Sequence, residues 1–174
     1  MKPAKAGDAL KIRISQLSHG LHEYHFKGNA GEIGLDPNFS PEVDVDAVLD
    51  KTPRQLYLRV SVKSSGVFQC DRCLEEFTQP LASGYSVCYV FDEADGGAAP
   101  PEEVRVIGAD TPSIDLSQDV REIVILSVPL KLLCKEDCKG LCPHCGSNRN
   151  LKACDCRETT ESSQWRGLEG LLNR

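Results

Sequence analysis

The chain has 174 residues, with 26 acidic and 20 basic side chains, a formal net charge of −6 and 40% hydrophobic residues. That is the composition of an ordinary globular domain, and the acidic balance argues against a broad electropositive surface of the kind that binds nucleic acid non-specifically. No run approaches the roughly 20 apolar residues of a bilayer-spanning helix. The stretch from Met1 to Asp8 lacks the apolar segment of a secretory signal, so a cytoplasmic protein without a membrane segment is expected.

In chain order, the first elements read as strands. Leu10, Ile12 and Ile14 alternate with Lys11 and Arg13, the period of a half-buried strand. Gly28, Gly31, Gly34 and Asp36-Pro37 mark a turn-rich passage. Val43 and Val45 alternate with Asp44 and Asp46. Leu56, Leu58, Val60 and Val62 alternate with polar or amphipathic partners in the clearest strand of the sequence. Leu81, Ser83, Tyr85, Val87, Tyr89 and Phe91 share one face of the next strand, with Cys88 on the other as a small buried residue. Residues 92–103 read as a polar, acidic linker, and Val104 and Val106 suggest another short strand.

A helix is expected near residues 115–128. Asp115 would cap it, Gln118 would complete a capping box, Leu116, Val120, Ile123 and Val124 would form its buried stripe, and Pro129 would stop it. Trp165, Leu168, Leu171 and Leu172 have the spacing of a short C-terminal helix. The fold class is therefore α+β: a mainly antiparallel sheet with one or two helices. Residues 1–133 would form this body, and residues 134–174 a cysteine-rich, zinc-ribbon-like tail. No internal repeat is visible.

Nine cysteines are the informative excess. In a reducing compartment, clustered cysteines point to metal or redox chemistry rather than to disulfides. Eight fall in close pairs: Cys70-x2-Cys73, Cys134-x3-Cys138, Cys142-x2-Cys145 and Cys154-x-Cys156. Tetrahedral zinc takes four thiolates, and a short spacing lets one turn of backbone supply two. In Cys142-Pro143-His144-Cys145-Gly146 the proline stiffens the turn and the glycine can take the positive φ a tight knuckle needs. Cys142, Cys145, Cys154 and Cys156 thus form one expected zinc site. By count, a second needs Cys70, Cys73, Cys134 and Cys138, closing a loop of about 60 residues and clipping the helix end to the sheet. A vacant or redox-active Cys70/Cys73 pair is the alternative, giving one zinc rather than two. A thioredoxin-like reading is disfavoured, because Leu74-Glu75-Glu76 places acids beside the pair and no alternating strand–helix pattern follows.

His22-Glu23-Tyr24-His25 is one residue short of a zinc-protease signature, and His19, His22 and His25 read as surface or strand residues. His144 lies inside the knuckle and reads as outward-facing or as support behind the ligands. No phosphate loop, nucleophile elbow or carboxylate pair is evident, so no enzyme is expected.

Three blocks carry a family resemblance. Phe68-Gln69-Cys70-Asp71-Arg72-Cys73-Leu74-Glu75 is the first; Ile114-Asp115-Leu116, Arg121-Glu122-Ile123 and Val128-Pro129-Leu130 form the second; Cys138-Lys139-Gly140-Leu141-Cys142-Pro143-His144-Cys145-Gly146 is the third. Together they resemble the bacterial YceD family of large ribosomal RNA subunit accumulation proteins, over about residues 43–172. Asn148-Arg149-Asn150 stands where that family suggests an Asn-Leu-Asn run. The resemblance implies a cytoplasmic, non-catalytic factor in accumulation or processing of large-subunit ribosomal RNA. Residues 1–129 carry 12 Lys/Arg against 20 Asp/Glu, whereas residues 130–174 carry 8 against 6. An RNA precursor would therefore meet the tail, through Lys131, Lys135, Lys139, Arg149, Lys152 and Arg157. The alternative partner is a ribosomal protein or assembly factor, bound without RNA contact. Neither reading needs a small-molecule substrate.

Overall fold

A computed structural model describes residues 10–91 and 103–156. Five strands form the main sheet in the order β2-β3-β4-β5-β6: β2 (Gly20–Asn29), β3 (Glu42–Lys51), β4 (Gln55–Gln69), β5 (Glu76–Val90) and β6 (Glu103–Val106). The first four run as an antiparallel meander, and β6 joins β5 in parallel. The sheet is thus mainly antiparallel, as the sequence suggested, with one parallel pair at the β5–β6 edge. A second, two-stranded sheet pairs β1 (Lys11–Arg13) with β7 (Ser113–Asp115), and β7 leads directly into helix α1 (Ser117–Leu126).

Alternation explains the core. Val43, Val45, Ala47 and Leu49 on β3 and Leu56, Leu58, Val60 and Val62 on β4 bury one face of the sheet. Leu10, Ile12, Ile14, Leu116, Val120 and Val124 join the same cluster. Truncating such a side chain, for instance Leu58→Ala, costs about 2–5 kcal/mol through lost transfer energy and a residual cavity.

Several elements depart from the sequence reading. β2 is a ten-residue strand whose bounds no sequence pattern marked; it carries His22 and His25, read as surface or strand residues, and runs through Gly28, so the turns begin at Ala30 rather than at Gly28. β3 and β4 extend well past their alternating cores. On β5, Cys88 and Val90 lie on the face opposite Val87 and Tyr89, and all four are buried, so alternation fades at that end. Asp115 does accept a hydrogen bond from the Ser117 N–H at 2.9 Å, but the residue at the N-cap is Leu116. Gln118 forms no capping box, because its amide donates to Glu122 one turn on. The expected C-terminal helix and the 92–102 linker lie outside the described residues. Among the described residues, no helix is long and apolar enough to cross a membrane.

β4 and β5 are each 15 residues long and pair from Gln55↔Val90 to Gln69↔Glu76. At about 3.3 Å per residue this hairpin is about 50 Å long. β3 accompanies it only as far as Lys63, and the outer part is braced by the 38–40 segment instead. There the Val67 N–H donates to the Asn38 carbonyl at 2.7 Å, the Ser40 N–H donates to the Ser65 carbonyl, and the Phe39 and Phe68 rings meet edge to face at 5.8 Å. The first cysteine pair sits at the tip of this arm.

Candidate metal centre

Cys70 follows the last residue of β4, and two residues separate Cys73 from the start of β5, so this pair is the turn of the hairpin itself. The chain closes the turn with two backbone bonds: Leu74 N–H to Cys70 C=O at 2.9 Å, and Cys70 N–H to Glu75 C=O at 2.9 Å. The tail repeats the same turn. Gly146 N–H donates to Cys142 C=O at 2.9 Å, and Cys142 N–H donates to Ser147 C=O at 2.8 Å. The residue after the second cysteine is left-handed in both, with φ 61° at Leu74 and 70° at Gly146. The molecule therefore contains one knuckle built twice, from two Cys-x2-Cys pairs whose spacing is the same and whose intervening residues differ.

Long-range contacts carry the tail onto the first knuckle. Asp71 brackets Leu132: its N–H donates to the Leu132 carbonyl at 2.8 Å, and its carboxylate accepts the Leu132 N–H at 2.7 Å. The Arg72 guanidinium donates to the Cys138 carbonyl at 2.8 Å, while the Arg72 carbonyl accepts the Leu141 N–H at 3.0 Å. Gly140 is required at that crossing, since its φ is +70° and a Cβ would lie 3.0 Å from the Arg72 carbonyl oxygen. Cys134 and Cys138 thereby reach the hairpin tip. Cys70 Sγ lies 3.8 Å from Cys138 Sγ, and Cys73 Sγ lies 3.6 Å from Cys134 Sγ.

The eight paired cysteines group as two sets, Cys70/Cys73/Cys134/Cys138 and Cys142/Cys145/Cys154/Cys156, with the sulfurs of each set within 4.8 Å of one another. Four sulfurs at about 2.3 Å from one ion stand about 3.8 Å apart, so this spacing suits a single tetrahedral metal ion. In the first set Cys70, Cys73 and Cys138 are buried, with Phe77 and Leu133 packed against them. The second is more open: Cys142 is buried, but Cys145 and Cys156 are exposed. Cys88, the ninth, is buried in the sheet, its thiol 3.9 Å from the Gln55 amide oxygen.

The electrostatics of both sets are those of acids sharing too little space. Burial opposes ionisation of Cys70, yet backbone groups at Cys134, Cys73 and Arg72 outweigh it and bring the thiol down to about 6. Burial, then the neighbouring thiols Cys73, Cys138 and Cys70, push Cys134 up to about 12. In the second set the Ser147 hydroxyl and backbone bring Cys145 down to about 6, while Cys145 itself and then burial push Cys156 up to about 12. In each set the neighbouring sulfurs oppose ionisation of at least one member, and a bound cation removes that conflict. Soft thiolate donors select a soft or borderline metal ion.

Asparagines support the first set from outside. Asn150 Nδ2 donates to Cys138 Sγ at 3.3 Å, and its Oδ1 accepts the Lys139 N–H at 2.9 Å. Asn148 Nδ2 donates to Glu75 Oε1 at 3.2 Å, tying the second knuckle to the first. Asp71, Arg72, Asn148 and Asn150 lie in stretches that carry or depart from the family resemblance, but the cysteine spacing assigns none of them a role. His144 is exposed on the second knuckle.

The cations divide. Arg149 N–H donates to the Gly140 carbonyl at 2.9 Å, so Lys139 and Arg149 are neighbours, with Lys152 just beyond a turn; all three are exposed. Lys135 pairs loosely with Asp137 at 3.9 Å. Lys131 is exposed on the segment leading to Cys134, and Arg157 lies outside the described residues.

The similar proteins form a consistent group. The chain is 42% identical over 43 residues to "Large ribosomal RNA subunit accumulation protein YCED homolog 1, chloroplastic" of Arabidopsis thaliana, covering 25% of the chain and 13% of that relative. It is 27% identical over 167 residues to the like-named protein of Zea mays, covering 75% of the chain and 57% of the relative. It is 28% identical over 105 residues to an uncharacterised protein of Mycobacterium tuberculosis, covering 60% of the chain and 50% of the relative. The chain thus spans between 13% and 57% of the length of these relatives. No solved structure matches. The family model described as "Large ribosomal RNA subunit accumulation protein YceD" matches residues 58–172, from mid-β4 through both knuckles, and the chain belongs to the YceD family.

Proposed function

We propose that the chain is a non-catalytic cytoplasmic factor in accumulation of large-subunit ribosomal RNA, stapled by two zinc ions. The observation that carries this reading is membership of a family described by that role, with both knuckles inside the matched region. Zinc is the metal chosen because four thiolates at tetrahedral spacing, with no open position, are a structural zinc set. Residues 134–174 then act as a zinc-ribbon-like tail on a body of residues 1–133, although the first zinc draws ligands from both. In this reading Lys135, Lys139, Arg149, Lys152 and Arg157, with Lys131, meet the phosphates of the precursor.

A second reading has the same zinc-ordered tail bind a ribosomal protein or assembly factor without RNA contact. Charge favours it: each four-thiolate zinc centre carries −2, which takes the whole chain from −6 to about −10.

Reversal of Lys139, Arg149 and Lys152 to Glu distinguishes the two. The triple variant should keep its zinc, lose co-sedimentation with large-subunit precursors and fail to restore ribosomal RNA levels in a deletion strain. Binding of an RNA fragment by the parent chain should weaken steeply with salt. A triple variant that still co-sediments and complements removes the RNA patch and leaves the protein-binding reading.

A further inference from the structure

β2 is the outer strand of the main sheet, and among the described residues no strand pairs with its far side. It pairs with β3 alone, and among the described residues no backbone N–H or C=O of residues 20–28 bonds to anything else. The opposite edge, β6, is four residues long against ten for β2. A long, flat, uncovered edge is a template for another strand, and proteins ordinarily shorten, bulge or cover it.

This edge is complementary to itself. Leu21, Glu23, His25 and Lys27 stand exposed on the outer face, while Tyr24 and Phe26 stand half-buried on the core face, their rings stacked at 5.8 Å. Two copies joined antiparallel about a two-fold axis must place residues of the same face opposite one another. Centring the pair on Glu23 sets Glu23 against its own copy. Centring on Tyr24 sets Glu23 opposite His25 but Leu21 against Lys27, and centring on Phe26 sets His25 against Lys27; centring on His25 sets that imidazole, which bonds Asp46 in its own chain, beside its copy. Centring on His25 alone sets Glu23 opposite Lys27 twice on one face and Tyr24 opposite Phe26 twice on the other. Glu23 has no ion-pair partner among the described residues. Lys27 holds Glu42 at 3.4 Å with both side chains well exposed, a contact that costs little to re-pair.

We infer that β2 is a homodimer interface, in which a second copy adds its β2 antiparallel with His25 on the two-fold axis, joining two five-stranded sheets into one. Closure by this isologous contact removes both long edges at once and covers the open flank of the core at Tyr24 and Phe26. This inference rests on the edge and not on the metal centres or the proposed role.

Sedimentation of the full chain over a wide concentration range tests it. The mass should rise from the 19.1 kDa of one chain towards twice that value. Glu23→Lys replaces two attractive cross-strand pairs with two repulsive ones and should weaken the dimer about tenfold or more; Glu23→Gln should weaken it about threefold. Combining Glu23→Lys with Lys27→Glu should restore it, with far-UV circular dichroism showing that each variant is folded. A single-chain mass at every concentration overturns the inference and leaves the edge to a strand of a different protein. A dimer indifferent to both Glu23 variants, or not rescued by the exchange, also overturns it.

Discussion

Leu74 and Gly146 occupy the same position in two copies of one turn, both left-handed, at φ 61° and 70°. Glycine adopts that region freely, whereas a leucine pays roughly 1–2 kcal/mol to enter it. Leu74 is 53% exposed, so its side chain recovers little of that cost by packing. Leu74→Gly should therefore be neutral or stabilising by up to about 1 kcal/mol, and Gly146→Leu destabilising by about 1–2 kcal/mol. Denaturant midpoints of the two metal-loaded variants check the asymmetry; equal losses would show that the two turns are not equivalent.

Asn150 reaches the Cys138 sulfur with its amide N–H and the Lys139 N–H with its oxygen. Partners of this kind stabilise a thiolate and orient it toward the metal. Asn150→Ala should lower metal affinity at the first centre by about 10–100-fold and leave the second near the parent value. Competition with a chromophoric chelator resolves the two releases. Equal weakening of both would mean that Asn150 holds the tail as a whole rather than one sulfur.

The parts legible in the sequence were those with a period or a spacing. Val43 to Leu49 and Leu56 to Val62 announce their strands because one face of each is core and the other is wet. The cysteine pairs announce themselves because one turn of backbone supplies two ligands. The bounds of β2 were not legible, since its alternation of Leu21, Glu23, His25 and Lys27 against Tyr24 and Phe26 lacks a strongly apolar face and an inner strand on its far side. The faces of Val87, Tyr89 and Cys88 on β5 were legible, but its start at Glu76 was not, because the outer part of the strand lacks a buried face. The contacts of Asp71 with Leu132, and of Asn148 with Glu75, join residues 61 and 73 positions apart, and no local pattern encodes them.

Asp115 couples the small sheet to the helix. Burial opposes its charge, but the Ser117 hydroxyl and N–H, followed by Lys11 at 3.6 Å, outweigh that and hold its carboxyl below the usual range. Its folded value lies below its unfolded one, so its contribution is present above the unfolded value near 4 and is lost as pH falls through the folded value. Asp115→Ala should cost about 1 kcal/mol at neutral pH, mostly as the lost hydrogen bond from the Ser117 N–H. The gap between parent and variant in urea midpoint should close as the medium is acidified below about pH 4. A gap independent of pH would remove the charge from the explanation.

Removal of metal should undo the tail before the sheet. The second set of sulfurs is the more exposed, and the segment around it has little apolar core: Leu141 is only half-buried and Leu151 is exposed. A structural zinc supplies of order 10 kcal/mol to such a segment. The β3–β4–β5 faces bury their own leucines and valines and should stay paired without metal. A chelator should first raise hydrogen exchange across residues 138–156. The outer arm around Cys70 should follow as the buried first centre empties, while residues 43–62 keep their protection. Cys142→Ser should reproduce the first stage alone, with one metal ion fewer per chain than the parent by metal analysis, and Cys70→Ser should loosen the arm. Uniform loss of protection across the sheet on chelation would show that the metals hold the whole fold rather than the tail and the hairpin tip.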